Sequence, residues 1–434
     1  MKKSIYWFRK NLRLRDNPSL YNAIKDNDEI IFIYINDSQT YNPNGLDIHK
    51  IGEFRKKFIM ESVLELEKNL KSKKIHLHTF EGDKFKIFDQ IRSSLRIDTI
   101  YCSKEIGLYE ENEEKKLIDK NFELIMSEDP HLIEERELPF NLDNLPLIFT
   151  PFRKKVEKNS KIRNEVRELP TIKKAIVNTD LKFLSKIEVN NIINHSNTAY
   201  PFEGGEENAL ERLKSYLWES HNIAKYKDTR NGLIGTEYSS KFSAYLSTGS
   251  ISPVTIYHEI KRFEIEVKKN SSTYWLIFEL MWREFFRYVA KKGKKNIFLI
   301  NGINGNIFNR NFNSDINLFK KWCNGETGQE FIDANMVELN STGFMSNRGR
   351  QNVASYLINE LDLNWTWGAA YFESKLIDYD VASNWCNWMY MAGVGNNVRN
   401  WAFNPVKQSE VYDKSKKYRS IWLKKKLRQQ IIEF

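Results

Sequence analysis

Over its first third the chain alternates between two hydrophobic rhythms. Short apolar runs recur at Ile5-Tyr6-Trp7-Phe8, Ile30 to Ile35, Ile75-His76-Leu77-His78, Thr99-Ile100-Tyr101-Cys102 and Phe122 to Met126. Between them, Ile51 to Leu70 and Phe85 to Leu95 carry apolar residues at helical spacing. A strand–helix alternation of this kind predicts a mostly parallel, Rossmann-like sheet covered by helices on both faces. No GxGxxG follows any of the strand-like runs, so this part lacks the dinucleotide fingerprint.

From Glu134 to Pro201 the pattern loosens, with Pro139, Pro146, Pro151, Pro170 and Pro201 and many charges. This reads as a connector with some helix, for example Phe152 to Leu169. From about Glu206 onward the spacing is helical: Leu210-Leu213-Leu217, Ile277-Leu280-Met281 and Val353-Tyr356-Leu357 each mark one helix face. Ser252-Pro253 has the form of an N-cap followed by Pro at the first helical position. The expected organisation is an α/β domain over 1–133, a connector over 134–205 and a larger all-helical domain over 206–434.

Composition changes this picture at four points. No apolar run nears the roughly 18 residues of a membrane span, and Met1 to Trp7 lacks the apolar core of a signal peptide, so a soluble, cytoplasmic protein without a membrane partner is expected. Cys102, Cys323 and Cys386 form no CxxC pair and the histidines are scattered, which gives no metal site and no disulfide framework. The net charge of +10 suits a polyanionic partner, although the richness in Lys, Asn and Ile offers a purely compositional origin. Of 11 tryptophans only Trp7 lies in the first half, so the rest either pack a large helical core or line a redox path.

Four constellations carry candidate chemistry. Ser239-Ser240-Lys241-Phe242-Ser243 offers hydroxyls, backbone N–H groups and one ammonium, a set that cradles phosphate or merely caps a helix. Glu279 and Arg283, at i and i+4 in an apolar helix, suit a simple ion pair; in a cavity Glu279 would instead have a raised pKa and donate to a carbonyl. Asn347 and Gln351 share a helix face and can read a base edge or simply meet solvent. Asp378, Asp380 and Asn384 precede Trp388 and Tyr390 in an aromatic stretch, where buried polar groups need partners such as Arg350 or Arg283. Without metal-ligand spacing, a conjugated organic cofactor fits them better than a metal.

Taken together the motifs resemble the photolyase/cryptochrome family. Tyr6-Trp7-Phe8-Arg9-Lys10-Asn11-Leu12-Arg13-Leu14-Arg15-Asp16-Asn17-Pro18 is similar to its opening strand and loop. Trp282-Arg283-Glu284-Phe285, Trp322-Cys323-Asn324-Gly325-Glu326-Thr327-Gly328, Ile332-Asp333-Ala334 and Asp378-Tyr379-Asp380 resemble its helical domain. Thr229-Arg230-Asn231-Gly232-Leu233, Phe149-Thr150-Pro151-Phe152, the stretch Thr342 to Ser355 and Val394-Gly395-Asn396 look like the DASH-type cryptochromes. Gln351 and Tyr390 stand where ordinary bacterial dimer photolyases usually have Met and Trp, which points to the same branch.

The resemblance implies FAD bound within the helical domain. Tyr226 and Ser239, Ser240, Lys241, Phe242 and Ser243 would hold its phosphates with Arg283 nearby; Arg350 would pair with Asp378, Asp380 would meet the flavin's polar edge and Asn384 its N5. It implies light-driven reversal of cyclobutane pyrimidine dimers by an electron lent from excited, reduced FAD, on DNA with a preference for single strands, by a monomer. Glu279 would donate a hydrogen bond to a thymine carbonyl, Trp282 and Tyr390 would wall the lesion pocket, and Asn347 and Gln351 would contact the lesion or adenine. Trp388, Trp365 and Trp322 fall, proximal to distal, on the positions of the family's tryptophan chain. An antenna chromophore, commonly 5,10-methenyltetrahydrofolate in this branch, would meet Glu105 in the α/β domain.

The alternative is a blue-light signalling receptor with the same flavin and tryptophans. The basic run Lys424-Lys425-Lys426-Leu427-Arg428 follows Tyr412-Asp413 without an evident effector domain, which favours repair. Met345 to Gln351 contains no histidine for acid chemistry on the (6-4) photoproduct.

Overall fold

A computed structural model describes residues 1–37, 46, 48–166, 168–303, 312–396 and 402–423; the basic run 424–428 lies outside them. The strand-like runs become β1 (Lys3–Phe8), β2 (Glu29–Asn36), β3 (Leu77–Glu81), β4 (Thr99–Ser103) and β5 (Glu123–Ser127), all parallel, in the order β3-β2-β1-β4-β5. The run Ile5 to Phe8 is apolar throughout because β1 is covered on both sides. Ile5 and Trp7 pack with Phe88 and Ile91, while Tyr6 and Phe8 pack with Leu20 and Val63. β3 starts at Leu77 because the Ile75 N–H bonds back to the Leu70 carbonyl and closes the preceding helix.

Two features of the connector depart from expectation. Its helix spans Phe149–Asn159, earlier and shorter than the spacing predicts. Beyond it, Glu165 accepts from Arg15 at 2.9 Å and from Thr255 at 2.6 Å, and Arg163 pairs with Asp16, so bonds to distant segments replace further helix. The second departure is β6 (Lys174–Ala175), which adds to β2 at Glu29 and Ile30. Two residues are too few to show a period in the sequence.

The helical part is built around the helix Ser271–Gly293, opened by a capping box of Asn270 and Thr273, with Val381–Ala392 packed beside it. The loop after β1 docks onto this part. Arg13, 1% exposed, donates to the Gly249 carbonyl at 2.9 Å, and the Leu12 N–H donates to Thr248. Gly249 has φ 69° and a Cβ there would lie 2.0 Å from the Lys10 carbonyl, so only glycine permits the approach. Among the described residues no helix is long and apolar enough to cross a membrane.

Candidate functional site

A cavity of about 480 Å³ opens in the helical part, between the loop 238–243 and the helices Ser271–Gly293, Asn347–Asn359 and Val381–Ala392. It falls in the size range of cofactor clefts, roughly 300–1,000 Å³. Tyr226, Ser239, Ser240, Lys241, Phe242, Ser243, Glu279, Trp282, Arg283, Asn347, Arg350, Gln351, Asp378, Asp380, Asn384, Trp388 and Tyr390 all reach its wall. Trp322, Trp365 and Glu105 do not line it.

At one end the Ser239 and Ser240 carbonyls are held from behind by Arg212, at 3.1 and 3.0 Å. Lys241 has φ 63° and precedes the short helix Phe242–Thr248. Its side chain is buried, with Nζ 3.1 Å from the Tyr238 ring centroid and no hydrogen-bond partner. Burial drives its pKa well below that of an ordinary lysine, and the attraction of Glu338 offsets only part of this.

On the opposite wall Asp380 caps the helix Val381–Ala392 by accepting from the Ser383 N–H at 2.8 Å. Its other oxygen takes Arg287 at 3.2 Å. Burial opposes the charge, but Arg287 and then Arg283 outweigh it and lower the pKa to about 2. Asn384, one turn further, donates to the Ala369 carbonyl at 3.0 Å. Arg350 grips both oxygens of Asp378, at 3.0 and 2.9 Å, and donates to the Met345 carbonyl.

The mouth carries Glu279, Trp282, Tyr390, Asn347 and Gln351. The i, i+4 pair of Glu279 with Arg283 does not form. Arg230 takes Glu279 at 2.5 Å, while Arg283 donates to the Pro130 carbonyl at 2.7 Å and lies 3.4 Å from Glu284. Burial raises the Glu279 pKa and Arg230 works against that rise. Trp282 stacks one face on Phe149 of the connector, centroids 3.8 Å apart, and meets Tyr390 edge-on at 6.0 Å. Asn347 is exposed at the rim, whereas the Gln351 Oε1 is buried without a partner.

Trp388, Trp365 and Trp322 do not make ring contacts in that order. Trp388 meets Trp322 directly, with ring centroids 6.2 Å apart, and Trp365 meets Trp385 at 6.1 Å. Trp322 is fully buried, so it is not a solvent-facing end of the series. Glu105 is buried too and accepts from Ser103 at 2.8 Å, beside a space of about 20 Å³ that it shares with His131 and Lys291.

Sequence reasoning did not single out Arg230, Arg287, Arg348 or Glu338. Arg287 lies four residues beyond Arg283 on the same helix, a spacing that was available as a signal. Arg230 and Arg348 reach the mouth from separate elements, and no local pattern joins them.

Comparison with known proteins agrees with this architecture. Residues 4–173 match the model described as DNA photolyase, and residues 275–432 match the FAD binding domain of DNA photolyase. Cryptochrome DASH of Synechocystis sp. is 40% identical over 96% of this chain and 87% of its own length. Cryptochrome DASH of Xenopus laevis is 38% identical over 96% and 81%. The crystal structure of the Synechocystis cryptochrome superposes with a TM-score of 0.91 at 38% identity, covering 97% of this chain and 88% of that one. A photolyase from Sulfolobus tokodaii, solved with two FAD molecules, gives 0.76 at 26% identity, covering 97% and 90%. The residue motifs, the sheet order and these likenesses agree: the chain belongs to the photolyase/cryptochrome family, among its DASH-type cryptochromes.

Proposed function

We propose that this protein reverses cyclobutane pyrimidine dimers in DNA under blue light, preferring single strands, with FAD held in the helical cavity. The observation that carries this reading is one cavity lined by two chemically distinct sets of residues. One is the buried, unpartnered Lys241 in a serine-rich loop, and the other is the Glu279 carboxyl with the packed aromatics Trp282 and Tyr390.

The residues fit the cofactor on their own chemistry. Lys241 is a buried amine without a hydrogen-bond partner, whose charged form a diphosphate would favour; Ser239, Ser240, Phe242 and Ser243 flank it in the same loop, and Tyr226 lines the same cavity. Arg350 and Asp378, fixed to each other, would flank the isoalloxazine ring. Asp380, held charged, would meet its polar edge, and Asn384 would bring an amide able to donate or accept. When bound and reduced, FAD supplies the photoexcited electron that splits the dimer.

The chain's own residues do the rest. Trp282, already stacked on Phe149, and Tyr390 form a rigid corner against which a flipped-out lesion would rest, with Asn347 and Gln351 beside it. A lesion must leave the stack to enter, which costs least in a single strand. Glu279 in its acid form would hydrogen-bond a thymine carbonyl and stabilise charge developing there. Trp388, Trp322 and Trp365 are proposed as electron-relay residues that keep the cofactor reduced. For the antenna, the space beside Glu105 has room for about one water, which does not fit an enclosed pteridine, and we derive no step through it.

The test is blue-light repair of a thymine dimer in single-stranded and duplex oligonucleotides, with a dark control and reductant. Light-dependent repair mainly of the single strand is expected. Repair of both would discard the strand preference. Repair of neither, with flavin bound and photoreducible, would favour signalling.

A further inference from the structure

A carboxyl donates a hydrogen bond only when protonated, yet the structure holds Glu279 in an ion pair. Arg230 Nη1 lies 2.5 Å from Glu279 Oε1, and the side chains are 24% and 29% exposed, so both solvent and a strand can reach them.

The charged neighbours have other attachments. On the same helix, Arg283 is turned to Pro130 and Glu284. From the connector, Arg153 and Glu157 are paired with each other and with Tyr274. From the wall opposite, Asp380 is bound to Arg287. Lys227 rests over the Trp275 ring at 4.9 Å, and burial keeps the Tyr226 hydroxyl neutral. Among the described residues, Arg230 is the cation bonded to Glu279.

Arg230 has reason to leave. Its guanidinium carbon lies 5.3 Å from the Trp275 ring centroid, and its charge acts on Arg348, which lines the same mouth. Arg348 donates to Asn231 at 3.1 Å but keeps a buried Nε without a partner. Two cations together at the rim of a cavity, in a chain of net charge +10, are relieved by one phosphate that both can contact.

We propose that Arg230 is a positioning residue: it holds Glu279 ionised in the free protein, and a strand phosphate that draws the guanidinium away lets Glu279 take one proton from solvent and become a donor to the lesion. The substrate half of this rests on the repair reading, whereas the ion pair does not. Charge balances, since the carboxylate gains a solvent proton and the guanidinium, unchanged, neutralises the phosphate. Near neutral pH the acid form would therefore arise only with a strand in place.

Two arms test it on the flavin-loaded protein in the dark. Infrared difference spectra across a pH series follow the protonated-carboxyl band, which Glu279→Gln removes and so assigns. Its midpoint should rise by about one pH unit or more in Arg230→Gln and return toward wild type in Arg230→Lys. An unchanged midpoint in Arg230→Gln overturns the proposal. In the second arm, calorimetry in buffers of differing ionisation heat counts protons taken up with a dimer-containing single-stranded oligonucleotide. Wild type should take up as much as one proton, Glu279→Gln none and Arg230→Gln less than wild type. Uptake that persists in Glu279→Gln overturns the proposal. An oligonucleotide that does not bind overturns the repair reading and the phosphate trigger, while the first arm still decides the ion pair.

Discussion

Lys241 is the residue where cofactor binding and stability pull apart. Burial without an anion penalises the charged form of Lys241 by on the order of several kcal/mol, and its Nζ has no hydrogen-bond partner. Lys241→Met should therefore raise the melting temperature of the flavin-free protein while weakening flavin binding roughly ten- to hundredfold, measured by fluorescence on flavin release. Glu279 gives a second prediction. Glu279→Ala should lower repair yield at saturating substrate far more than it lowers affinity for the dimer. Because the acid form is the active one, repair should fall as pH rises through the carboxyl's midpoint in the complex, and Glu279→Gln should flatten that dependence. Equal losses of yield and affinity in Glu279→Ala would make the carboxyl a structural partner of Arg230.

Helix Val381–Ala392 carries Asp380 at its cap, Asn384 on its first turns and Trp388 further along, so its placement sets three site residues together. It is seated by Gly368 on the neighbouring helix Trp365–Lys375, where a Cβ would lie 2.3 Å from the Trp388 ring. Alanine in a helix normally gains about 1 kcal/mol over glycine; here overpacking reverses the sign. Gly368→Ala should destabilise by roughly 1–3 kcal/mol by denaturant midpoint and slow flavin photoreduction. The cap makes a pH prediction. The folded pKa of Asp380 is lowered from 3.8 to about 2, so its stabilisation is present above 3.8 and is lost as pH falls toward 2. The stability gap between wild type and Asp380→Asn, roughly 2 kcal/mol from this linkage alone, should close over that window in acid unfolding measurements.

At the scale of the whole molecule, excess positive charge bears on the partner. Affinity for a dimer-containing single strand should fall with salt, with a log–log slope of about −0.7 per phosphate contacted. Arg230→Gln and Arg348→Gln should each remove about one such contact, which anisotropy titrations at several salt concentrations would read. A flat salt response would leave the net charge without a role in binding.

The sequence by itself determined the strand–helix alternation, the helical remainder and about half of the cavity wall. Those properties are local: a period of two or of 3.6 repeats along the chain, and motifs such as Asp378 to Tyr390 sit on one turn and one helix. What it did not determine depends on segments far apart in the chain. The exclusion of Arg283 from Glu279 by Arg230 was invisible at helical spacing, because the competing guanidinium comes from 49 positions away. The contact of Trp388 with Trp322, the burial of Glu105 under Ser103 and the addition of Lys174–Ala175 to the sheet are likewise choices among neighbours. Which of several compatible partners a buried charge or ring receives is settled by packing in three dimensions, and only the tertiary structure fixes it.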